Sequence, residues 1–330
     1  MFDFLCYIIF YASTITSAEM IVAKLFKSLV YLLAVHQAYA GSDARSQLID
    51  SEQLQSPHVA HPNLERVIRE IEVSHARERP FCSARTGIII SYANGYHFDM
   101  VLLQRASLKF FGEAACVLSR FILVCIDAGC MRKCVAHNIS NCVRWDDSRE
   151  FKKSDFLKND YRYITYLKWL IIDVVLQLYS KQVFFFDTDV ALFRNPFMYA
   201  YDDFDFEFQR ENSKRDSAVN GGQLFFSNTD RSRSMVKSMV ARGRYIVAAG
   251  APLDQDFVHD ALTESGSSWH SLDSRRFLGH CWAKEYISND TLIKDIVTYH
   301  AHCASNLHDK MRVLRRVYDA VEKFFYNIDL

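Results

Sequence analysis

The run Val183-Phe184-Phe185-Phe186 stops abruptly at Asp187-Thr188-Asp189, and this junction limits the possible folds more than any other stretch of the chain. Four large apolar residues in succession, with no polar alternation, read as a strand buried on both faces, the habit of a parallel sheet in an α/β protein. When such a strand ejects Asp-x-Asp at its C-terminal end, hard oxygen ligands stand at the edge of the sheet where ligands bind.

Asp-x-Asp alone is a weak signal, because a chain of this length holds about one by chance. Two more occur here, Asp203-Phe204-Asp205 and Asp254-Gln255-Asp256. Only the first follows an apolar run long enough for a buried strand. A turn or helix cap after a strand is the plain alternative for Asp187 and Asp189.

The remaining patterns agree with an α/β class. Gly87-Ile88-Ile89-Ile90-Ser91-Tyr92 reads as a buried strand, 98–111 as a helix, and 121–126 as a strand that ends at Asp127. Leu167, Leu170, Ile171, Val174, Val175 and Leu178 recur at helical spacing directly before the Asp187 strand. Alternating strands and helices predict a mostly parallel sheet. Asn220-Gly221-Gly222 opens a further strand over 223–227, either as a hairpin turn or as a close backbone approach suited to a substrate pocket. After a strand at 296–299 come His300, His302 and His308 with Lys310, a cluster that points to ligand or metal binding. A closing amphipathic helix over 308–325 puts Lys310 in its first turn, where a cation is disfavoured unless an anion lies near.

Half of the 330 residues are apolar, enough for one large domain or two small ones, and Lys plus Arg equal Asp plus Glu at 39 each. That balance gives no nucleic-acid surface. At the front, 4–12 and 28–35 are apolar but interrupted by Glu19, Lys24 and Lys27, and neither reaches the ~20 residues of a membrane-spanning helix. From Met20 the order is two lysines, an apolar stretch, and Ala38-Tyr39-Ala40 before Gly41, a signal-peptide pattern over 1–40. An uncleaved signal anchor, the one route to a membrane, and an ordinary buried helix are the alternatives. Residues 41–80 are polar around a short helix at 63–76 and read as a stem before a domain over 81–330.

Loss of Cys6 with the leader leaves an even set, Cys82, Cys116, Cys125, Cys130, Cys134, Cys142, Cys281 and Cys303, several of which could pair in an oxidising lumen. Cys130 and Cys134 lack zinc-knuckle spacing, and Cys125, inside an apolar run, reads as an inert core residue. The sequons Asn138-Ile139-Ser140 and Asn289-Asp290-Thr291 would be available for glycosylation there.

In their order, Phe-Phe-Asp-Thr-Asp-Val-Ala-Leu-Phe-Arg-Asn-Pro-Phe at 185–197, Asn220-Gly221-Gly222, Asp254-Gln255-Asp256, and His300-Ala301-His302-Cys303 through Lys310 resemble the nucleotide-diphospho-sugar transferase family. Its plant members include arabinosyl-, xylosyl- and galactosyltransferases. The resemblance covers 86–320 and implies a GT-A fold, with a Rossmann-like nucleotide-binding half and an acceptor-binding C-terminal half. It implies transfer of a sugar, with retention, from a nucleotide-diphospho-sugar, with UDP as the expected nucleotide, to a hydroxyl of a glycan or glycoprotein in the Golgi lumen.

Residue by residue, the resemblance implies Mn²⁺ or Mg²⁺ on Asp187, Asp189 and His300. It implies donor binding by Asn94, Lys168, Asp187, Asn220, Gly221 and Lys310. Asp254 and Gln255 match the catalytic segment, with Gln255 beside the anomeric carbon. Cys134 with Cys142, and Cys281 with Cys303, fall where similar sequences pair cysteines. The chain departs from the family at Tyr179-Ser180, in place of Gly-Tyr, at Ala191, in place of a bulky residue, and at His302, in place of Asn; it also lacks a Gly between His302 and Lys310. These changes bear on acceptor choice and spare the carboxylates. Two rivals use the same features: a haloacid-dehalogenase phosphatase with Asp187 as nucleophile, and a luminal binding protein that keeps the fold without turnover.

Overall fold

In the computed structural model, which describes residues 62–78, 87–110, 114–145, 159–201, 203–211, 218–247, 252–283 and 293–327, the apolar runs become the middle of a seven-stranded sheet. Its strands are β1 (Ile88–Ala93), β2 (Phe121–Cys125), β3 (Cys142–Arg144), β4 (Val183–Phe186), β6 (Phe206–Arg210), β7 (Val219–Phe226) and β8 (Trp269–Ser271), in the order β3-β2-β1-β4-β7-β6-β8. All run in one direction except β7, which pairs antiparallel with both β4 and β6. A second sheet of three strands, β5 (Val190–Leu192), β9 (Phe277–Gly279) and β10 (Thr298–His300), has the order β5-β10-β9.

Topology sets where a ligand can sit. The chain builds outward from β1 to β3, then crosses back to place β4 on the other side of β1, so the order reverses between β1 and β4 and leaves a crevice beyond their C-terminal ends. Asn94 follows β1 and Asp187 follows β4 at that crevice. Phe184, Phe185 and Phe186 are fully buried, each contributing about 1.5–3 kcal/mol. That packing fixes the strand whose end carries the carboxylates.

The helices used below are α1 (Pro62–Glu78), α2 (Phe98–Ser107), α3 (Ala128–Ala136), α4 (Asn159–Leu178), α5 (Asp230–Ala241), α6 (Val258–Ser265) and α7 (Leu307–Asn327). Helix α1, expected in a stem, buries Leu64, Val67, Ile68 and Ile71, a helical stripe, within a compact unit that spans Ser56–Leu330. Helix α7 packs Val313, Leu314, Val317 and Val321 into a core shared with Phe193, Leu278 and Tyr299. The helix expected over 98–111 ends at Ser107 and tightens into a 3₁₀ turn through Phe110.

Two local expectations are corrected. Asn220-Gly221-Gly222 does not open a strand; it lies inside β7. Gly266 is the one glycine with positive φ among the described residues, so close approach explains the pair. Cys125 is not an inert core thiol, because it is bonded to Cys130 across the turn after β2. The expected pairs Cys134–Cys142 and Cys281–Cys303 are both present, and Cys116 is disulfide-bonded as well. The leader at 1–40, most of the stem, Cys82 and the sequon at Asn289 lie outside the described residues. Among the described residues no helix is long and apolar enough to cross a membrane.

Candidate active site

The Asp-x-Asp turn is pinned from three directions. Asp187 N–H donates to the Gly222 carbonyl at 2.8 Å and Val190 N–H closes the turn onto the Asp187 carbonyl at 3.2 Å. Gln104 of α2 reaches in with its amide, donating to the carbonyls of Asp187 (3.2 Å) and Val190 (3.0 Å). The turn leads into β5, and β10 pairs with it so that His300 stands opposite Val190. Ala301 N–H then donates to the Asp189 carbonyl at 2.9 Å. As a result Asp187, Asp189 and His300 each offer a ligand atom within 4.8 Å of the others.

The two carboxylates differ in charge environment. Asp189 accepts from Lys310 Nζ at 2.7 Å on Oδ2 and faces His300 Nε2 at 3.3 Å with Oδ1. Burial pushes its carboxyl up, but Lys310 and His300 outweigh burial and hold it well below the usual carboxylate range. Asp187 goes the other way. Burial raises it against the pull of Lys168, and Asp189 adds to the rise. Its Oδ1 is buried without a hydrogen-bond partner.

His300 is oriented by Gln209, a residue with no sequence signal of its own. Gln209 Nε2 donates to the Phe277 carbonyl at 3.2 Å, which turns its Oε1 toward His300 Nδ1 at 2.8 Å. Gln209 Oε1 can only accept, so Nδ1 carries a proton and Nε2 is the ring nitrogen left to bind a cation. An imidazole nitrogen facing a carboxylate, beside an unpartnered buried carboxylate oxygen, suits a divalent cation with oxygen and imidazole ligands. The residues therefore fit the implied metal.

Behind this triad lies a second constellation. Lys168 of α4, buried to 3 %, contacts Asp254 Oδ2 at 2.7 Å and donates to the Gly221 carbonyl at 2.9 Å. Trp169 Nε1 donates to the same Asp254 oxygen at 2.9 Å. Gly221 N–H donates to Gln255 Oε1 at 3.2 Å, and Gly222 N–H to Asn220 Oδ1 at 2.9 Å. The paired glycines are required by this crowding: a Cβ on Gly221 would lie 2.7 Å from Lys168 Nζ, and one on Gly222 2.2 Å from the His300 ring.

Asn94 closes the crevice from β1. Its Oδ1 accepts the His97 N–H at 3.0 Å and lies 2.7 Å from His97 Nδ1. The His97 imidazole is lowered to about 4, by burial first and then by Lys310, with Asp189 and Asp127 pulling the other way. Tyr92 and Tyr161, which sequence reasoning missed, are both pushed up by burial and then by Asp187, with Asp254 and Asp189 adding to the rise. Both lie within electrostatic reach of these carboxylates.

All the candidate residues thus converge on one end of the sheet. The other Asp-x-Asp matches resolve into local roles as well. Asp205 accepts from Thr229 and Ser268, and Asp256 accepts the Leu253 N–H at 2.8 Å as a cap. Of the three histidines only His300 faces the carboxylates. His302 stacks on the His300 ring at 4.6 Å and is lowered by burial to about 3, while His308 is exposed on α7.

A family model described as nucleotide-diphospho-sugar transferase matches residues 116–314. No curated protein matches the chain. Among solved structures, the galactosyltransferase LgtC with donor and acceptor sugar analogs is similar at 15% identity and a TM-score of 0.46, over 72% of this chain and 96% of that one. A glycosyltransferase that acts in glycosylation of the major capsid of PBCV-1 gives 10%, 0.44, 69% and 99% for the same quantities. Mouse xyloside xylosyltransferase 1 in its apo form gives 12%, 0.38, 66% and 98%.

Proposed function

Because this chain belongs to the nucleotide-diphospho-sugar transferase family and is thus a glycosyltransferase of GT-A fold, we propose that it moves a sugar from a UDP-sugar to a hydroxyl of a glycan or glycoprotein, with retention and with Mn²⁺ or Mg²⁺ on Asp187, Asp189 and His300. The observation that supports this most is the pairing of an ionised Asp189 with a partnerless Asp187 oxygen and an oriented His300 nitrogen within 4.8 Å. Family membership removes the phosphatase alternative.

Cleavage at the anomeric carbon leaves a nucleoside diphosphate with added negative charge and a sugar of oxocarbenium character. A divalent cation bound at the triad supplies Lewis-acid charge to that leaving group. Lys310, in the first turn of α7, adds a fixed positive charge from the protein itself. With this compensation no general acid is needed. Asp254 has one oxygen committed to Lys168 and Trp169, so in this reading it holds the donor-sugar pocket rigid. Gln255, tied to Gly221 N–H, is presented to the anomeric carbon, while Asn94, Asn220 and Gly221 line the donor's path. The disulfides support action in an oxidising compartment, which we assign to the Golgi lumen.

UDP release from a panel of UDP-sugars, with Mn²⁺ or with EDTA, tests the reading. Turnover with at least one donor, lost in EDTA and in Asp189→Ala while a cooperative thermal melt shows the variant still folded, is the expected result. Full turnover by EDTA-treated enzyme would overturn the metal assignment.

A further inference from the structure

Lys310 is committed to a carboxylate that the proposed cation also needs. Its Nζ lies 2.7 Å from Asp189 Oδ2, and His300 Nε2 faces the other oxygen, on a side chain only 5 % exposed. A dication held by Asp189 Oδ1 and His300 Nε2 would share that carboxylate with the ammonium on Oδ2, and the two would repel each other with little water between them to weaken the repulsion. The repulsion favours an arrangement in which one of them yields.

Lys310 has the freedom to do so. Its side chain is 31 % exposed, and a four-carbon stem lets the ammonium swing away from Asp189 while the helix stays put. Asp189 does not have this freedom, since its main chain is bonded to Ala301 and its turn to Gln104 and Gly222. A displaced ammonium needs another anion. Asp254 cannot serve, being held by Lys168, and Asp187 would itself be a ligand of the cation. A diphosphate at the same crevice would.

We propose that Lys310 enforces coupled binding: its ammonium competes with the divalent cation for Asp189, and a nucleotide diphosphate draws it off. The proposal rests on the metal reading above. Cation and nucleotide then strengthen each other beyond their direct contact, and by linkage each raises the affinity of the other by the same factor.

The test is Mn²⁺ binding, followed by the EPR signal of the free ion, to the full chain without nucleotide and with UDP, after allowance for the Mn²⁺–UDP complex in solution. Without nucleotide, Lys310→Met and Lys310→Gln should each bind Mn²⁺ about tenfold tighter than wild type, and UDP should tighten their Mn²⁺ binding less. Arg315→Ala, which removes an exposed cation from the same helix, should match wild type. Thermal melts establish that each variant is folded. Lysine variants that bind Mn²⁺ no tighter than wild type would overturn the proposal, as would Arg315→Ala tightening it equally. Absence of Mn²⁺ binding by wild type, with and without UDP, would instead refute the metal site itself.

Discussion

Gly222→Ala should disable the enzyme chiefly through His300. A Cβ at this position lies 2.2 Å from His300 Cε1, 2.8 Å from Nε2 and 3.0 Å from Asn220 Oδ1, whereas ordinary contact begins at 3.4 Å. The ring must therefore retreat by about 1 Å, a displacement that can cost ~10²-fold in rate when it falls on a positioned group. The ring has nowhere easy to go. Gln209 holds Nδ1 at 2.8 Å, His302 stacks on the other side, and β10 is paired along both edges. Overpacking of this kind costs about 1–3 kcal/mol, a melting shift of about 2–4 °C per kcal/mol for a domain of this size. Expected results are a ~10²-fold fall in donor turnover, a weaker Mn²⁺ affinity by titration, and a melt lowered by several degrees. Gly266→Ala is the control: its φ of +63° strains an alanine, but nothing lies within 4 Å of the added carbon, so it should lose about 1–2 kcal/mol and keep full activity. Wild-type turnover and Mn²⁺ affinity in Gly222→Ala would refute the claim that this glycine exists to admit His300.

Three further outcomes follow from buried contacts. Asp254→Asn leaves the Lys168 ammonium buried without a countercharge and should cost about 3–5 kcal/mol, much of it recovered in Lys168→Met/Asp254→Leu; an unchanged denaturation midpoint in the single variant would refute this. Cys281→Ser/Cys303→Ser opens a loop of 22 residues and should lose about 3 kcal/mol in the chain-entropy account, read by urea unfolding, whereas a loss below the error of the fit would count against a structural role. His97 is held by burial near 4, against an ordinary 6.5, so the unfolded chain takes up its proton first. The stability His97 contributes is complete above pH 6.5 and is lost as pH falls toward 4. His97→Gln should flatten unfolding free energy against pH in that window, and an identical slope in both proteins would dismiss it.

What the sequence made legible were features written in neighbouring residues. The β4 run and its carboxylates declared themselves because a strand buried on both faces cannot alternate, so the switch to Asp is abrupt. The helix of α4 showed through its spacing, and α7 through its apolar stripe. Gln104 and Gln209 were invisible for the opposite reason. They reach partners 68 to 91 positions away, and a lone amide on a helix or strand has no local pattern to reveal such a reach. Tyr92 and Tyr161 likewise look like ordinary core aromatics until the fold sets them beside Asp187. The Asn-Gly-Gly ambiguity between turn and close approach needed the fold: the pair lies inside β7 without positive φ, at a register jump from Leu224 to Asn220 against β6, with the His300 ring against Gly222.

The divergence of the two Asp-x-Asp carboxylates follows from how the site distributes its cations. Lys168 offsets Asp254 and Lys310 offsets Asp189, which leaves Asp187 as the one carboxylate of the three without an ammonium against it. Burial can then raise Asp187 while Asp189 stays ionised, a splitting that marks groups with separate tasks. Counted with all three carboxylates ionised, both lysines charged and His300 neutral, these residues sum to a single negative charge. A dication at the triad would reverse the sign, turning a site that repels a diphosphate into one that attracts it. Under the proposed function, metal and donor would therefore arrive as a charge-matched pair, and the spare carboxylate of Asp187 is what makes the matching possible.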